Sequence, residues 1–326
     1  MVFLLYLSSL TFLSSCLHFA NEDIEENPGY FYPRTDFLQR FEPRGNRILF
    51  GTNASNTLLS ATTISTRTQP VYFSFSFTLG ELRSDWYMPL QDFLARQNHY
   101  SLLQIDLHIL NPNGQCYAQA ISDGFLNEQL DGLGFGLRQI GHPTMLRFAP
   151  EFNAIWSTCE PHKYQNAWRR LGEVIRHRWN LEHVALVWTS SGEGHSQIME
   201  YFPGNEYVDW WSLEIHTPKE LRNKTTDTVL YLASENGYPI LLGASTPLSS
   251  TPKTSEQLWF MWFKPLFSFL QKQPLIKAFT YNDWIELDTS GDPIVAEQFH
   301  LELSDPIYQL ADKYEPLKWL LDLETP

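Results

Sequence analysis

Short apolar runs rich in β-branched and aromatic residues recur along this chain, and helical patterns separate them. The runs cover residues 48–53, 71–78, 102–110, 144–148, 184–189, 208–216, 239–243 and 275–281. Between them, 126–140, 164–178, 226–236 and 256–271 carry apolar residues at helical spacing. Strands buried on both faces read as near-continuous apolar segments, and strand-helix alternation is the pattern of parallel strands joined by helical crossovers. Eight such units predict a single (β/α)8 TIM barrel, with a doubly wound open sheet as the alternative. The open sheet usually announces itself with a phosphate loop between a strand and a helix. The one glycine-rich candidate, Gly132-Leu133-Gly134-Phe135-Gly136, falls inside a helical pattern and reads as close helix packing.

A barrel of this kind carries its chemistry at the carboxyl ends of its strands, so the polar residues there are the ones to weigh. The third strand offers Asp106 and His108, the fourth Arg147 and Glu151, the fifth Trp188, the sixth Glu214 and His216. The eighth ends in Tyr281-Asn282-Asp283-Trp284. Most informative is Leu146 to Trp156, where an apolar run delivers Arg147, Glu151, Asn153 and Trp156 to one place. A carboxylate in that setting is either salt-bridged structure or a tuned acid. The neighbours favour the acid: Trp156 offers a flat face for a sugar, and Arg147 and Asn153 could hold the carboxyl and a substrate hydroxyl. No close His spacing suggests a metal site, no Gly-x-Ser-x-Gly elbow exposes a serine, and no cofactor is implied.

Composition narrows the partners. A net charge of −14 disfavours nucleic acid and anionic lipid but says little about a neutral substrate. Aromatics at 15%, with 11 Trp, suit an aromatic cleft, although most of these tryptophans are expected in the core. Residues 1–20 are apolar and uncharged and read as an export signal. Leu13-Ser14-Ser15-Cys16 resembles a lipobox, so plain secretion and a lipid tether through Cys16, at a cell surface or in a periplasm, both stay open. A polar lead-in follows over 21–46, and the barrel is expected over 47–326. Cys116 and Cys159 are then a disulfide pair or two buried thiols. Asn53-Ala54-Ser55 and Asn223-Lys224-Thr225 match glycosylation sequons.

The segment Arg147-Phe148-Ala149-Pro150-Glu151-Phe152-Asn153-Ala154-Ile155-Trp156 resembles the acid/base motif of glycoside hydrolase family 26, the β-mannanase family of retaining (β/α)8 enzymes. Further segments match in order: Ala167-Trp168-Arg169, Val187-Trp188, Tyr201 to Trp211, and Ile276 to Trp284. The resemblance implies a β-mannan or related β-glycan as substrate, with Glu151 as acid/base and Arg147 in support. Trp156 would border the cleft and Trp284 form an aromatic platform. His216 would stand where such enzymes place a Tyr on the nucleophile. Pro150, where mannanases of the family commonly have His, departs from the pattern. At strand seven the family motif Pro-Ile/Val-Met-Ile-Gly/Ala-Glu-Ser/Thr becomes Pro239-Ile240-Leu241-Leu242-Gly243-Ala244-Ser245, leaving Ala244 at the nucleophile position. A methyl group cannot attack an anomeric carbon. Three enzyme-derived explanations follow: a degenerate glycosidase that binds without cutting, an active one that recruits Glu214, or a single change from Glu. A non-catalytic surface scaffold is the reading from another class.

Overall fold

The computed structural model describes residues 40–54, 66–97, 100–111, 113–155, 157–245 and 254–311. Eight parallel strands close into a barrel: β1 (Ile48–Asn53), β2 (Tyr72–Thr78), β3 (Leu102–His108), β4 (Thr144–Phe148), β5 (Val184–Ser191), β6 (Trp210–Ile215), β7 (Ile240–Ala244) and β8 (Ile276–Tyr281). Each pairs with the next and β8 pairs with β1, which also pairs with β2. A short ninth strand, β9 (Tyr308–Gln309), runs beside Ile48 and Leu49, below the point where β2 joins β1 at Gly51. The predicted TIM barrel is the observed fold, and the open sheet falls away because the ring closes.

Strand alternation divides the core into two compartments. Outward-facing side chains such as Phe50, Phe73, Leu146, Trp188, Ile215 and Phe279 pack beneath the helices. Inward-facing Leu49, Tyr72, Leu102, Met145, Ala185, Val187, Trp210, Leu241 and Ala278 form an apolar floor. Above that floor the lumen turns polar. Thr280 Oγ1 donates to Gln104 Oε1 at 2.9 Å, and Gln104 Nε2 donates to Ser74 Oγ at 2.9 Å and Asp106 Oδ1 at 3.0 Å. The charged residues of the mouth thus rest on a hydrogen-bonded layer, which a low-dielectric interior requires of buried polar groups.

The outer layer contains α1 (Met88–Arg96), α2 (Ala118–Ser122), α3 (Asn127–Ile140), α4 (Pro161–Glu173), α5 (Lys224–Glu235), α6 (Ser255–Leu258), α7 (Lys264–Lys272), α8 (Trp284–Ser290) and α9 (Pro293–Leu303). Proline opens or nearly opens α1, α4, α7 and α9, where its fixed φ suits a first turn. The glycines of the α3 run do the packing expected of them. A Cβ on Gly134 would lie 2.3 Å from the Trp179 ring, and one on Gly136 2.4 Å from the Trp86 ring. Cys116 and Cys159 are bonded, fastening the connection after β3 to the residues just ahead of α4.

The lead-in expected over 21–46 ends sooner than its composition suggested. Arg40 donates to the carbonyl oxygens of Leu181, Glu182 and Val184, and Trp210 Nε1 donates to the Arg40 carbonyl at 2.6 Å. Phe41 joins the apolar floor. The last residues of that stretch therefore cap the barrel end opposite the mouth. The leader expected over 1–20, with Cys16, lies outside the described residues.

Candidate active site

Glu151 sits just past β4 in a turn that most L-residues avoid. Ala149 has φ +47° and Glu151 φ +58°, each in the left-handed region that costs a non-glycine residue about 1–2 kcal/mol. The surrounding bonds hold the turn in place. Ala149 N donates to Leu107 O and Glu151 N to Thr189 O, both at 2.9 Å. Asn153 accepts from Ser191 N at 2.7 Å and donates to Ser191 O at 3.1 Å and His195 O at 3.0 Å. A Cβ on Gly194 would fall 2.3 Å from Asn153 O, so only glycine admits this closeness.

His216, one residue past β6, meets Glu151 with Nε2 to Oε1 at 2.7 Å. The hydrogen bond to Glu151 raises the His216 pKa to about 9 despite the opposing effect of partial burial. At neutral pH His216 is thus an imidazolium, and Nε2 donates to the Glu151 carboxylate. The His216 main chain is fixed in turn, its N–H donating to Glu220 Oε2 at 2.9 Å, while Thr217 Oγ1 donates to Glu220 Oε1 at 2.7 Å. Glu220 escaped the sequence reading, although Thr217-Pro218-Lys219-Glu220 has capping-box spacing and could have pointed to it.

Arg147 is the buried cation beneath the pair. Its Nη2 lies 2.5 Å from Glu214 Oε1, its Nε 3.4 Å from Asp106 Oδ1, and Nε also donates to Thr189 Oγ1 at 3.1 Å. Burial works against the guanidinium, but Asp106, Glu214 and Glu151 outweigh it and hold its pKa above the ordinary value. Burial raises Glu214 above the usual carboxylate range, opposed by Arg147. His108, at the end of β3, is pushed below its ordinary value by burial, against the pull of Asp106.

Glu214 also leans across onto β7. It pairs in register with Gly243, and a Cβ at Gly243 would lie 2.0 Å from Glu214 Oε1. The lumen-facing register of β7 therefore belongs to Gly243, with the carboxylate of its neighbouring strand seated on it. Ala244 takes the other register with Ile215 and Tyr281, fully buried in the outer compartment.

Glu151, Arg147, Glu214 and His216 thus come together as one charged cluster, while the expected sugar platforms do not join it. Trp188 is 1% exposed because it faces outward, between Phe152, stacked at 4.6 Å, and Trp211 at 4.8 Å. Trp284 is fully buried against Phe299 and Phe50, with Nε1 donating to Thr68 O. Neither ring has a face to offer a ligand. Asn153 is equally buried and spends its amide on the backbone. These three expectations give way to packing roles, and Trp156 lies outside the described residues. Asn223 of the second sequon caps α5, accepting from Thr226 N and donating to Gly192 O.

No family model matches the chain. A β-1,3-xylanase of a Vibrio species is 25% identical over 214 residues, which is 59% of this chain and 45% of that protein. The chain therefore spans less than half the length of this curated relative. Among solved structures, a modular endo-β-1,4-mannanase of glycoside hydrolase family 26 from Cellulomonas fimi superposes with a TM-score of 0.64. It is 17% identical and the match covers 83% of this chain and 74% of that one. A family 26 β-mannanase from Bacteroides ovatus gives a TM-score of 0.62 at 18% identity, covering 86% and 94%. The barrel is the one these mannanases share.

Proposed function

We propose that this barrel is an exported β-glycan-binding relative of the family 26 glycanases, one that keeps the acid/base and lacks the retaining nucleophile. The relatives' names support a β-linked polysaccharide, since a β-1,3-xylanase and endo-β-1,4-mannanases all act on β-glycans. The observation that carries the impaired reading is Ala244. A retaining glycosidase sets two carboxyl groups about 5–5.5 Å apart, one protonating the leaving oxygen while the other attacks the anomeric carbon. Ala244 supplies no oxygen and faces away from the lumen.

The retained half is chemically coherent. The His216 imidazolium donates from Nε2 to Glu151 Oε1, and Glu151 can pass that proton to a glycosidic oxygen while His216 reverts to a neutral imidazole. Without an attacking carboxylate, that proton accomplishes little. Glu214 is held by Arg147 and shut from solvent, which supports a structural role. The Cys116–Cys159 bond supports an oxidising compartment. The proposal includes export either as a secreted protein or as a lipoprotein tethered through Cys16.

A second reading rests on one observation: the Glu214 carboxylate lies against Gly243, next to the position the family gives to its nucleophile. In that reading Glu214 attacks the anomeric carbon and the chain is an active hydrolase. The test is calorimetric titration of the full chain with β-1,4-mannopentaose and β-1,3-xylopentaose, alongside a reducing-sugar assay. Binding without release of reducing ends is the expected result. Release that disappears in Glu214→Gln establishes the second reading instead. Binding of neither sugar removes both and leaves a scaffold protein.

A further inference from the structure

His216 and Glu151 approach each other from different strands, and both approaches lead back to one short stretch of chain. On the His216 side, the buried Glu220 takes the His216 N–H on Oε2 at 2.9 Å and the Thr217 hydroxyl on Oε1 at 2.7 Å. The carboxylate thus closes the turn that follows β6. Thr226 Oγ1 then donates to the Glu220 carbonyl at 2.6 Å, which ties that turn to the first residues of α5.

On the Glu151 side, the contacts run through the loop after β5. Thr225 Oγ1 donates to Gly194 O at 2.7 Å, and Asn223 Nδ2 donates to Gly192 O at 2.5 Å. Gly194 lies directly against Asn153, which holds the Glu151 turn, and His195 N donates to Asn153 O at 3.1 Å. The two arms also touch. A Cβ on Gly192 would stand 3.2 Å from Glu220 Oε2, and Gly192 N donates to Glu214 O at 2.8 Å. Asn223 and Thr225 are the outer residues of the second sequon, and both side chains are committed to this loop.

We propose that residues 217–226 form a brace that sets the contact between Glu151 and His216, with Glu220 a positioning residue acting through His216 and Thr225 its counterpart on the Glu151 side. The inference rests on the reading of Glu151 as the retained acid/base, and adds what holds its proton-carrying partner in line. Glu220 is 4% exposed and Thr225 6%, so both act through the groups they hold. The physical ground is the short range of hydrogen bonding: a charge-assisted contact of 2.7 Å weakens steeply once its donor is misaligned, so a small displacement of the His216 backbone forfeits much of it.

The imidazole itself reports the alignment. Glu151, Glu214 and Glu220 are the charged groups facing His216, and the hydrogen bond to Glu151 has the largest effect on it. NMR of the His216 ring in the full chain, followed as pH is raised, should give a midpoint of about 9. Two substitutions separate position from charge. Glu220→Gln keeps an oxygen for the His216 N–H and an amide for the Thr217 hydroxyl, so the midpoint should stay near 9. Glu220→Asp keeps the charge but retracts the carboxylate by one methylene, and the midpoint should fall toward the 6.5 of a free imidazole. Thr225→Val, which releases Gly194, should lower it in the same direction. A residue with a merely structural role would lower the melting temperature and leave the midpoint in place. A midpoint that stays near 9 in Glu220→Asp or in Thr225→Val therefore overturns the proposal, and so does one that falls in Glu220→Gln. Because this titration uses no sugar, its failure leaves the glycan reading standing, while failure of both pentaoses to bind would remove that reading without moving the His216 midpoint.

Discussion

The pairing of Glu214 with Gly243 shows how one residue's smallness fixes another's charge. An added methyl at 243 would stand 2.0 Å from Oε1, and the carboxylate could yield only by leaving Arg147. Displacing one member of a buried ion pair costs about 3–5 kcal/mol, so Gly243→Ala should lower unfolding stability by roughly 3 kcal/mol in denaturant titration. His216 carries the pH dependence. Its folded pKa of about 9 stands above an unfolded value near 6.5, so its stabilisation is complete below pH 6.5 and fades as pH rises through 9. Melting temperature should therefore fall from pH 6.5 to 9.5, and His216→Gln should flatten that decline. These charged residues were legible because each is a polar group closing an apolar run. Trp188 and Trp284 were misjudged for a different reason: an aromatic near a strand end reads alike whether it faces lumen or helix. For Trp188 the alternation with Val187 and Thr189 already held the answer.

Among the elements, the strands were the clearest, since doubly buried β runs are dense in apolar residues. Seven of the eight start within one residue of the expected position, and β6 begins two residues late at Trp210. Helices α1, α8 and α9 went unseen because each is short and opens on a proline or an aspartate-rich turn that composition assigns to loops. The turn holding Glu151 was also beyond sequence, because its strain is offset by Asn153 contacts to a loop some 40 residues away. Asn153→Ala removes three buried hydrogen bonds, and at about 1 kcal/mol each it should destabilise the protein by roughly 3 kcal/mol and abolish glycan binding with it. The Cys116–Cys159 bond closes a separation of 43 residues, for which the chain-entropy estimate is about 4 kcal/mol. Reduction should lower the melting temperature, and Cys116→Ser/Cys159→Ser should reproduce the loss without added reductant.

Across the whole molecule, polarity climbs from an apolar floor through a hydrogen-bonded middle to a charged mouth. That gradient was only half legible: the barrel followed from element alternation, whereas the contact of Glu214 with β7 needed coordinates. Arg40 and Phe41 add an orientation. The backbone arrives at the end of the ring remote from Glu151, so Arg40 and Phe41 act as a stopper where the polypeptide is threaded in. Whatever is attached at Arg40 itself is therefore joined at the back of the bowl, and the rim that carries Glu151 lies at the opposite end.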